Sequence, residues 1–327
     1  MKEKLRAISF CSGIGFQERG GENAECFDFE SVGTSEIDIY AIISFAAIHH
    51  GLTEEMVDSY ESYPSLDEMR KWLIEKNIGY IPEKKKKYDW DKNGKTFERQ
   101  IRKTWLACRL NKNMGDVSLI EELPDADVWF CSFPCQSISI AGKLRGMSPD
   151  DETRSSLVWH TVRLLEWAKQ NEKLPKYMIL ENVKNLVGKQ FKSDFDNLNL
   201  LISEYGYNVY YEVINSKNTG VPQNRERVFA VYVRKDIDNG KFTFPKPFDN
   251  GIRMKDIMED EVDEKYYIRN ERAKNLIEKL IATDDSGGAV DLTLNNPKRR
   301  DVANCLMGYR GIHGKAKARD NGVLVKK

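Results

Sequence analysis

Between about residues 5 and 235 the chain alternates short apolar runs with segments of helical periodicity. That alternation restricts it to an α/β unit built on a largely parallel sheet. Strands are expected at 5–10, 29–35, 126–133, 177–181, 207–215 and 227–233, and helices over 16–23, 39–50, 155–170 and 192–205. In the third helix Leu157, Val158, Thr161, Leu164, Leu165 and Ala168 recur at helical spacing. A polar insertion, 51–113, interrupts the pattern. It holds the lysine run 84–87, which reads first as a solvated loop and second as a phosphate contact, and a helix over 96–110. After about 238 the pattern changes to a proline-containing linker (242–248), a charged helix near 269–282, a Gly/Asp-rich loop at 284–291 and a tail with Gly308, Gly311, Gly314 and Gly322. Two domains follow: 1–238, which includes the insertion, and a smaller, loop-rich 239–327.

No apolar run approaches the roughly 20 residues that span a bilayer. The charged start, Met1-Lys2-Glu3-Lys4-Leu5-Arg6, runs straight into the first strand, so no signal peptide is read and a cytoplasmic protein is expected. Six cysteines without paired spacing are expected to be reduced thiols, and the four histidines form no ligand pattern with them, so no metal is expected. Basic and acidic residues balance at 51 each, which excludes a uniformly positive coat but not a local basic cleft for nucleic acid.

Chemistry concentrates at the predicted strand ends, where ligands bind in open α/β sheets. Cys135 follows the apolar run Val128-Trp129-Phe130 through Pro134, which stiffens the turn. Taken alone, such a cysteine is more often a packed thiol than a nucleophile. Glu181 and Asn182 end the run Tyr177-Met178-Ile179-Leu180; they are poor core residues unless paired, and capping the next helix is the alternative. Arg225 and Arg227 alternate at the entrance to another strand, which puts both guanidinium groups on one face, a pattern equally suited to surface ion pairs. Gly13-Ile14-Gly15 follows the first strand and allows close backbone approach, while Glu36 ends the second, where an acid can take ribose hydroxyls. Position 18 is Glu, so the full dinucleotide glycine pattern is absent, and an adenosyl cofactor without a pyrophosphate fits better.

In order and spacing, these segments resemble the cytosine-5 DNA methyltransferase family from about residue 5 onward. Ser12-Gly13-Ile14-Gly15 resembles its first cofactor motif, Glu36 the ribose-binding acid and Ile37 the position that packs on adenine. Asp116, with Val117 beside it, resembles the adenine-amine ligand, Pro134-Cys135-Gln136 the nucleophile motif, and Leu157 a cofactor-contacting leucine. Glu181-Asn182-Val183 and Gln223-x-Arg225-x-Arg227 complete the set. The resemblance implies a Rossmann-like, S-adenosylmethionine-dependent methyltransferase sheet with a smaller target-recognition domain, acting as a monomer on double-stranded DNA in a restriction-modification or phage setting. It implies that Cys135 adds to carbon 6 of a flipped cytosine, that Glu181 neutralises charge at ring nitrogen 3, and that Arg227, with Arg225, bonds the cytosine carbonyl.

Two departures stand out. Cys11 occupies the position where the family has an aromatic residue, with Phe10 facing the other side of the strand, and the family's closing arginine-containing and Gly-Asn-Ser motifs are not found. A truncated chain of weak or absent activity is therefore expected. Transfer RNA as substrate, a non-catalytic DNA-binding protein of the same fold, and, on the glycines alone, a NAD-dependent dehydrogenase are the competing readings. Lys298, Arg299, Arg300, Arg310, Lys315, Lys317 and Arg319 are candidate phosphate contacts, about half of them expected to be ordinary surface charges.

Overall fold

The computed structural model describes residues 2–81, 86–134 and 157–259, and beyond these only 263, 271, 275, 278–279, 282, 288–291, 298–299, 301–304 and 321–324. Contacts divide the chain into two units, Met1–Glu212 with Val228–Thr243, and Val213–Arg227 with Phe244–Lys327.

The first unit opens with β1 (Glu3–Phe10), α1 (Phe16–Glu22), β2 (Phe27–Ser35) and α2 (Ile39–His50). The segment 51–113 then supplies α3 (Glu54–Ser59), α4 (Leu66–Glu75), the short hairpin of β3 (Tyr80–Ile81) and β4 (Lys86–Lys87), and α5 (Lys95–Leu110). The sheet resumes with β5 (Val128–Cys131), α6 (Val158–Gln170), β6 (Tyr177–Val183), α7 (Lys192–Glu204) and β7 (Tyr207–Asn215). After the two-residue β8 (Gln223–Asn224) the chain returns as β9 (Glu226–Arg234). Six of these strands hydrogen-bond in the order β2-β1-β5-β6-β9-β7.

β1 runs parallel to β2 and β5, and β5 parallel to β6. β9 is reversed. The Arg234 N–H at its end donates to Lys176 just before β6 (3.0 Å), and the next N–H, Lys235, donates to Gly206 just before β7 (2.9 Å). β5, covered on both faces, is apolar throughout: all four of its residues are buried, and Trp129 is 1% exposed. Phe10 belongs to this core, edge-on to Trp129 with ring centroids 5.3 Å apart.

The segment 51–113 is not the polar appendage that its composition suggests. Met69 and Leu73 of α4, Ile101 and Cys108 of α5, and Trp90 close one apolar core against Ile42 of α2. Spacings of three, four and seven residues put these side chains on single helical faces while the opposite faces stay charged, so average polarity hides the amphipathic pattern. A capping box starts α4: the Glu68 N–H donates to Ser65 Oγ and the Ser65 N–H to Glu68 Oε2. Of the lysine run, Lys86 and Lys87 form exposed β4, while 84 and 85 lie outside the described residues.

In the second unit, β10 (Gly288–Asp291), β11 (Lys298–Arg299) and β13 (Asn321–Leu324) form an antiparallel sheet in the order β11-β10-β13. In a separate two-stranded sheet, β12 (Ala303–Asn304) pairs parallel with β8. The end of the expected loop 284–291 is thus a strand. The helix expected near 269–282 falls mostly outside the described residues. Among the described residues no helix is long and apolar enough to cross a membrane.

Candidate active site

The turn after β1 is built from left-handed backbone: Cys11 (φ 53), Gly13 (φ 57) and Gly15 (φ 81). The two glycines serve different ends. A Cβ on Gly15 would sit 2.3 Å from His49 Nε2 and 2.7 Å from Phe45, so only glycine lets α1 begin against α2. A Cβ on Gly13 would meet nothing within 4 Å, because that side of the loop is open. Ser12 ties the turn down, donating its N–H to Ser35 O (3.0 Å) and accepting the Gly15 N–H (3.1 Å).

At the end of β2 the Glu36 carboxylate accepts three backbone N–H groups: Gly13 (3.0 Å) on Oε2, and Ile37 (2.8 Å) and Asp38 (2.9 Å) on Oε1. Burial pushes its pKa up, against the lowering pull of those amides. A carboxylate offers about four acceptor sites. Among the described contacts one remains, on Oε2, open to a further donor. Asn113 braces this acid, accepting the Glu36 and Gly115 N–H groups (3.1 and 3.0 Å) and donating to Glu36 O (3.0 Å). Asp116 accepts from Ser118 N (2.9 Å) and Oγ (2.8 Å) through Oδ1, and from Asn77 Nδ2 (2.5 Å) through Oδ2.

These groups surround a cavity of about 220 Å³ at the carboxyl ends of the strands. Eight of the ten sequence-predicted cofactor residues line it: Cys11, Gly13, Glu36, Ile37, Asp116, Val117, Pro134 and Leu157. Ser12 and Gly15 shape the turn instead. Ser35, Asp38, Ala41, Tyr80 and Ser132 also line it and were missed. Asp38 carried a readable signal as the cap of α2, accepting from Tyr40 N (2.8 Å) and Ala41 N (3.3 Å). Tyr80 carried none, since it comes from 51–113.

Phe10, packed in the core, does not line the cavity, which leaves Cys11 at the rim. The lining holds three acids, Glu36, Asp38 and Asp116, and no Lys or Arg among the described residues. A pyrophosphate would find no cation among these described residues. An adenosyl ligand carrying ammonium and sulfonium charge fits the donor and acceptor set.

Across the sheet, Asn182 is 2% exposed and remains within β6, so it does not cap the following 3-10 turn. Its Nδ2 donates to Phe133 O (3.1 Å) and its Oδ1 accepts the Val183 N–H (2.8 Å). It thereby holds the backbone that leads into Pro134, one residue from Glu181, which is half-buried. Cys135 lies outside the described residues. In the second unit Gln223, Arg225 and Arg227 are half-buried while Asn224 and Glu226 are exposed, which gives the expected alternation. Arg225 is fixed through its backbone, its N–H donating to Asn215 Oδ1 (3.1 Å) and its carbonyl accepting the Ser216 N–H (3.0 Å).

A family model for C-5 cytosine-specific DNA methylases matches residues 87–323. The type II methyltransferase M2.ScrFI of Lactococcus lactis subsp. cremoris is 38% identical over 273 residues, covering 83% of this chain and 72% of that protein. The chain belongs to the C-5 cytosine-specific DNA methylase family. Further similarity to family methylases reaches the orphan methyltransferase M.SssI of Spiroplasma monobiae, 29% identical over 84% of this chain and 70% of that protein. The orphan methyltransferase of Bacillus phage rho11s is also 29% identical, and there the chain spans 85% of itself but 48% of the phage protein. Among solved structures, the Entamoeba histolytica methyltransferase EhMeth aligns with a TM-score of 0.49 at 16% identity, over 86% of this chain and 68% of that one. Membership in this methylase family implies S-adenosylmethionine as the methyl donor and supports DNA as a partner.

Proposed function

We propose that this protein transfers a methyl group from S-adenosylmethionine to carbon 5 of a cytosine flipped out of double-stranded DNA, as a restriction-modification or phage-type methylase. The observation that carries the reading is that Pro134, the covalent neighbour of Cys135, lines the same acidic cavity as Glu36 and Asp116.

Glu36 and Asp116 would hold the adenosyl group. Bound there, the cofactor supplies an electrophilic methyl carbon on a sulfonium centre. The chain's own residues do the rest. Cys135, the residue after cavity-lining Pro134, is assigned as the nucleophile. Its sulfur adds to carbon 6 of the cytosine, which makes carbon 5 nucleophilic. Glu181 donates a proton or hydrogen bond at ring nitrogen 3, where charge collects. With the methyl group on carbon 5 and the donor left as a neutral thioether, loss of the carbon 5 proton to a base would expel the thiolate and restore the ring. Asn182 holds the Phe133 carbonyl and so fixes the backbone that leads into Pro134. Arg225 and Arg227 are assigned to the cytosine carbonyl and the surrounding backbone. The larger domain is assigned to catalysis and the smaller one to target recognition. Flipping the base costs a few kcal/mol, which DNA contacts must offset.

The test pairs transfer of tritiated methyl onto duplex DNA and onto transfer RNA with trapping on duplex DNA containing 5-fluorocytosine. DNA labelling and a covalent adduct that Cys135→Ser abolishes are expected. Labelling of transfer RNA alone, or an adduct that survives Cys135→Ser, would overturn the assignment.

A further inference from the structure

Among the described residues, the segment 51–113 reaches the cofactor cavity through one residue, Tyr80. Among the described residues that line the cavity, Tyr80 is the only aromatic one; its neighbours there are acids, small residues and the aliphatic side chains of Ile37, Val117 and Leu157. Cys11 and Ile37, both at the cavity wall, offer no ring. A purine gains most from a flat π-face, and stacking on an aromatic side chain exceeds what aliphatic contact gives.

Tyr80 is placed with care for a residue of a two-residue strand. The N–H groups of Gly79 and Tyr80 both donate to Ile37 O (3.0 and 2.9 Å), so the ring's backbone is fastened to the end of β2 beside Glu36. Ile78 and Ile81 on either side are 3% and 5% exposed and belong to the core of the segment. Trp90 Nε1 donates to Ile78 O (2.8 Å), and a Cβ on Gly79 would lie 2.8 Å from that same Nε1, so the approach to Tyr80 is closely packed. A second fastening runs through Asn77, whose amide donates to Asp116 and whose neighbour Lys76 accepts the Asp116 N–H (3.0 Å). Ribose acid, second acid and ring thus meet at the β2 side of the cavity, while Pro134 approaches from β5, two strands and about 10 Å away.

We infer that Tyr80 is the residue that stacks on the adenine of the cofactor, and that the 51–113 segment is therefore part of the cofactor site. This rests on the reading of the cavity as the S-adenosylmethionine site. The adenine lies at the β2 side and the methyl end faces the Pro134 side.

Isothermal titration of the full chain with S-adenosylhomocysteine and with 5′-methylthioadenosine, which lacks the amino-acid end, tests the inference. Tyr80→Phe is expected to bind both within about twofold of wild type, and Tyr80→Leu to lose roughly tenfold for both. Thermal unfolding without ligand is expected to be shared by the three proteins, which separates ring contact from folding. Wild-type affinity in Tyr80→Leu would overturn the inference, and so would an equal loss in Tyr80→Phe, which would assign the effect to the hydroxyl. Failure of the wild type to bind either ligand is a different result, and would overturn the reading of the cavity itself.

Discussion

At the amino-terminal ends of β1, β5 and β6 the charges are paired; past the carboxyl-terminal end of β2, Glu36 is buried against backbone amides. Asp127, just ahead of β5, accepts the Arg6 N–H (3.0 Å) and lies 3.4 Å from Lys176 Nζ. Burial works to raise its pKa, but the Arg6 amide, Lys176 and the Arg6 guanidinium outweigh it and hold the carboxyl below the usual range. Glu36, at the far end of β2, meets only amides, and burial wins. The signs are opposite. Ionised Asp127 contributes stability that is present above the ordinary Asp range and lost as pH falls through its depressed pKa. Ionised Glu36 subtracts stability, and the loss grows as pH rises through the ordinary Glu range to the raised folded value. One end is arranged for folding and the other suits the proposed cofactor.

Glu36→Gln tests that contrast most severely. Removing a charged acceptor of a ribose hydroxyl is expected to weaken S-adenosylhomocysteine binding about 10²-fold by titration calorimetry. By urea unfolding the variant's stability relative to wild type is expected to improve as pH rises from about 4 to 7. Unchanged affinity, or the opposite drift, would break the comparison.

Asn182→Ala comes next. It leaves the Phe133 carbonyl and the Val183 N–H without their partner. A roughly tenfold fall in kcat is expected, with S-adenosylhomocysteine affinity unchanged, because the backbone that leads into Pro134 loses its anchor while the cavity acids keep theirs. Equal loss of both would place Asn182 in general folding.

Asp127→Asn should do the reverse, costing about 1 kcal/mol of stability at pH 7 with kcat and cofactor affinity intact. The deficit is expected to shrink as pH drops below about 4.

The smallest effect concerns thiols. Burial pushes Cys108 and Cys131 up to about 12, whereas Cys26 is exposed. At pH 8 only about 10⁻⁴ of each buried thiol is ionised. Mass spectrometry after brief alkylation is expected to find label on Cys26 and none on the buried pair until denaturant is added.

Much of this was legible from the chain, and the reasons differ by region. β5 announced itself because both faces are covered, leaving the unbroken apolar run Val128-Trp129-Phe130. Gly13, Glu36 and Pro134 could be assigned to one cleft because each follows a strand, and strand ends in such sheets converge; Asp116, which follows α5, was assigned through the family resemblance alone. Segment 51–113 was misjudged for the opposite reason. Its apolar residues are spread over three helices and a hairpin, so each carries only a narrow stripe, and the core exists only once they meet α2. Tyr80 was invisible because its role depends on a long-range pairing with Ile37 that no local pattern encodes. Residues 288–291, glycine and acid among them, read as loop, yet pairing on both edges makes them a strand.

The carbonyl of Ile37 takes hydrogen bonds from two successive amides, Gly79 and Tyr80. Helix α4 and the hairpin after it cannot peel away from β2 without breaking both. Free energy released by an occupant of the cavity is therefore shared with a substructure whose core lies outside it. Heavy-water exchange at the amides of 73–81 is accordingly expected to slow when the cavity fills, turning this helical flap into a reporter of its occupancy.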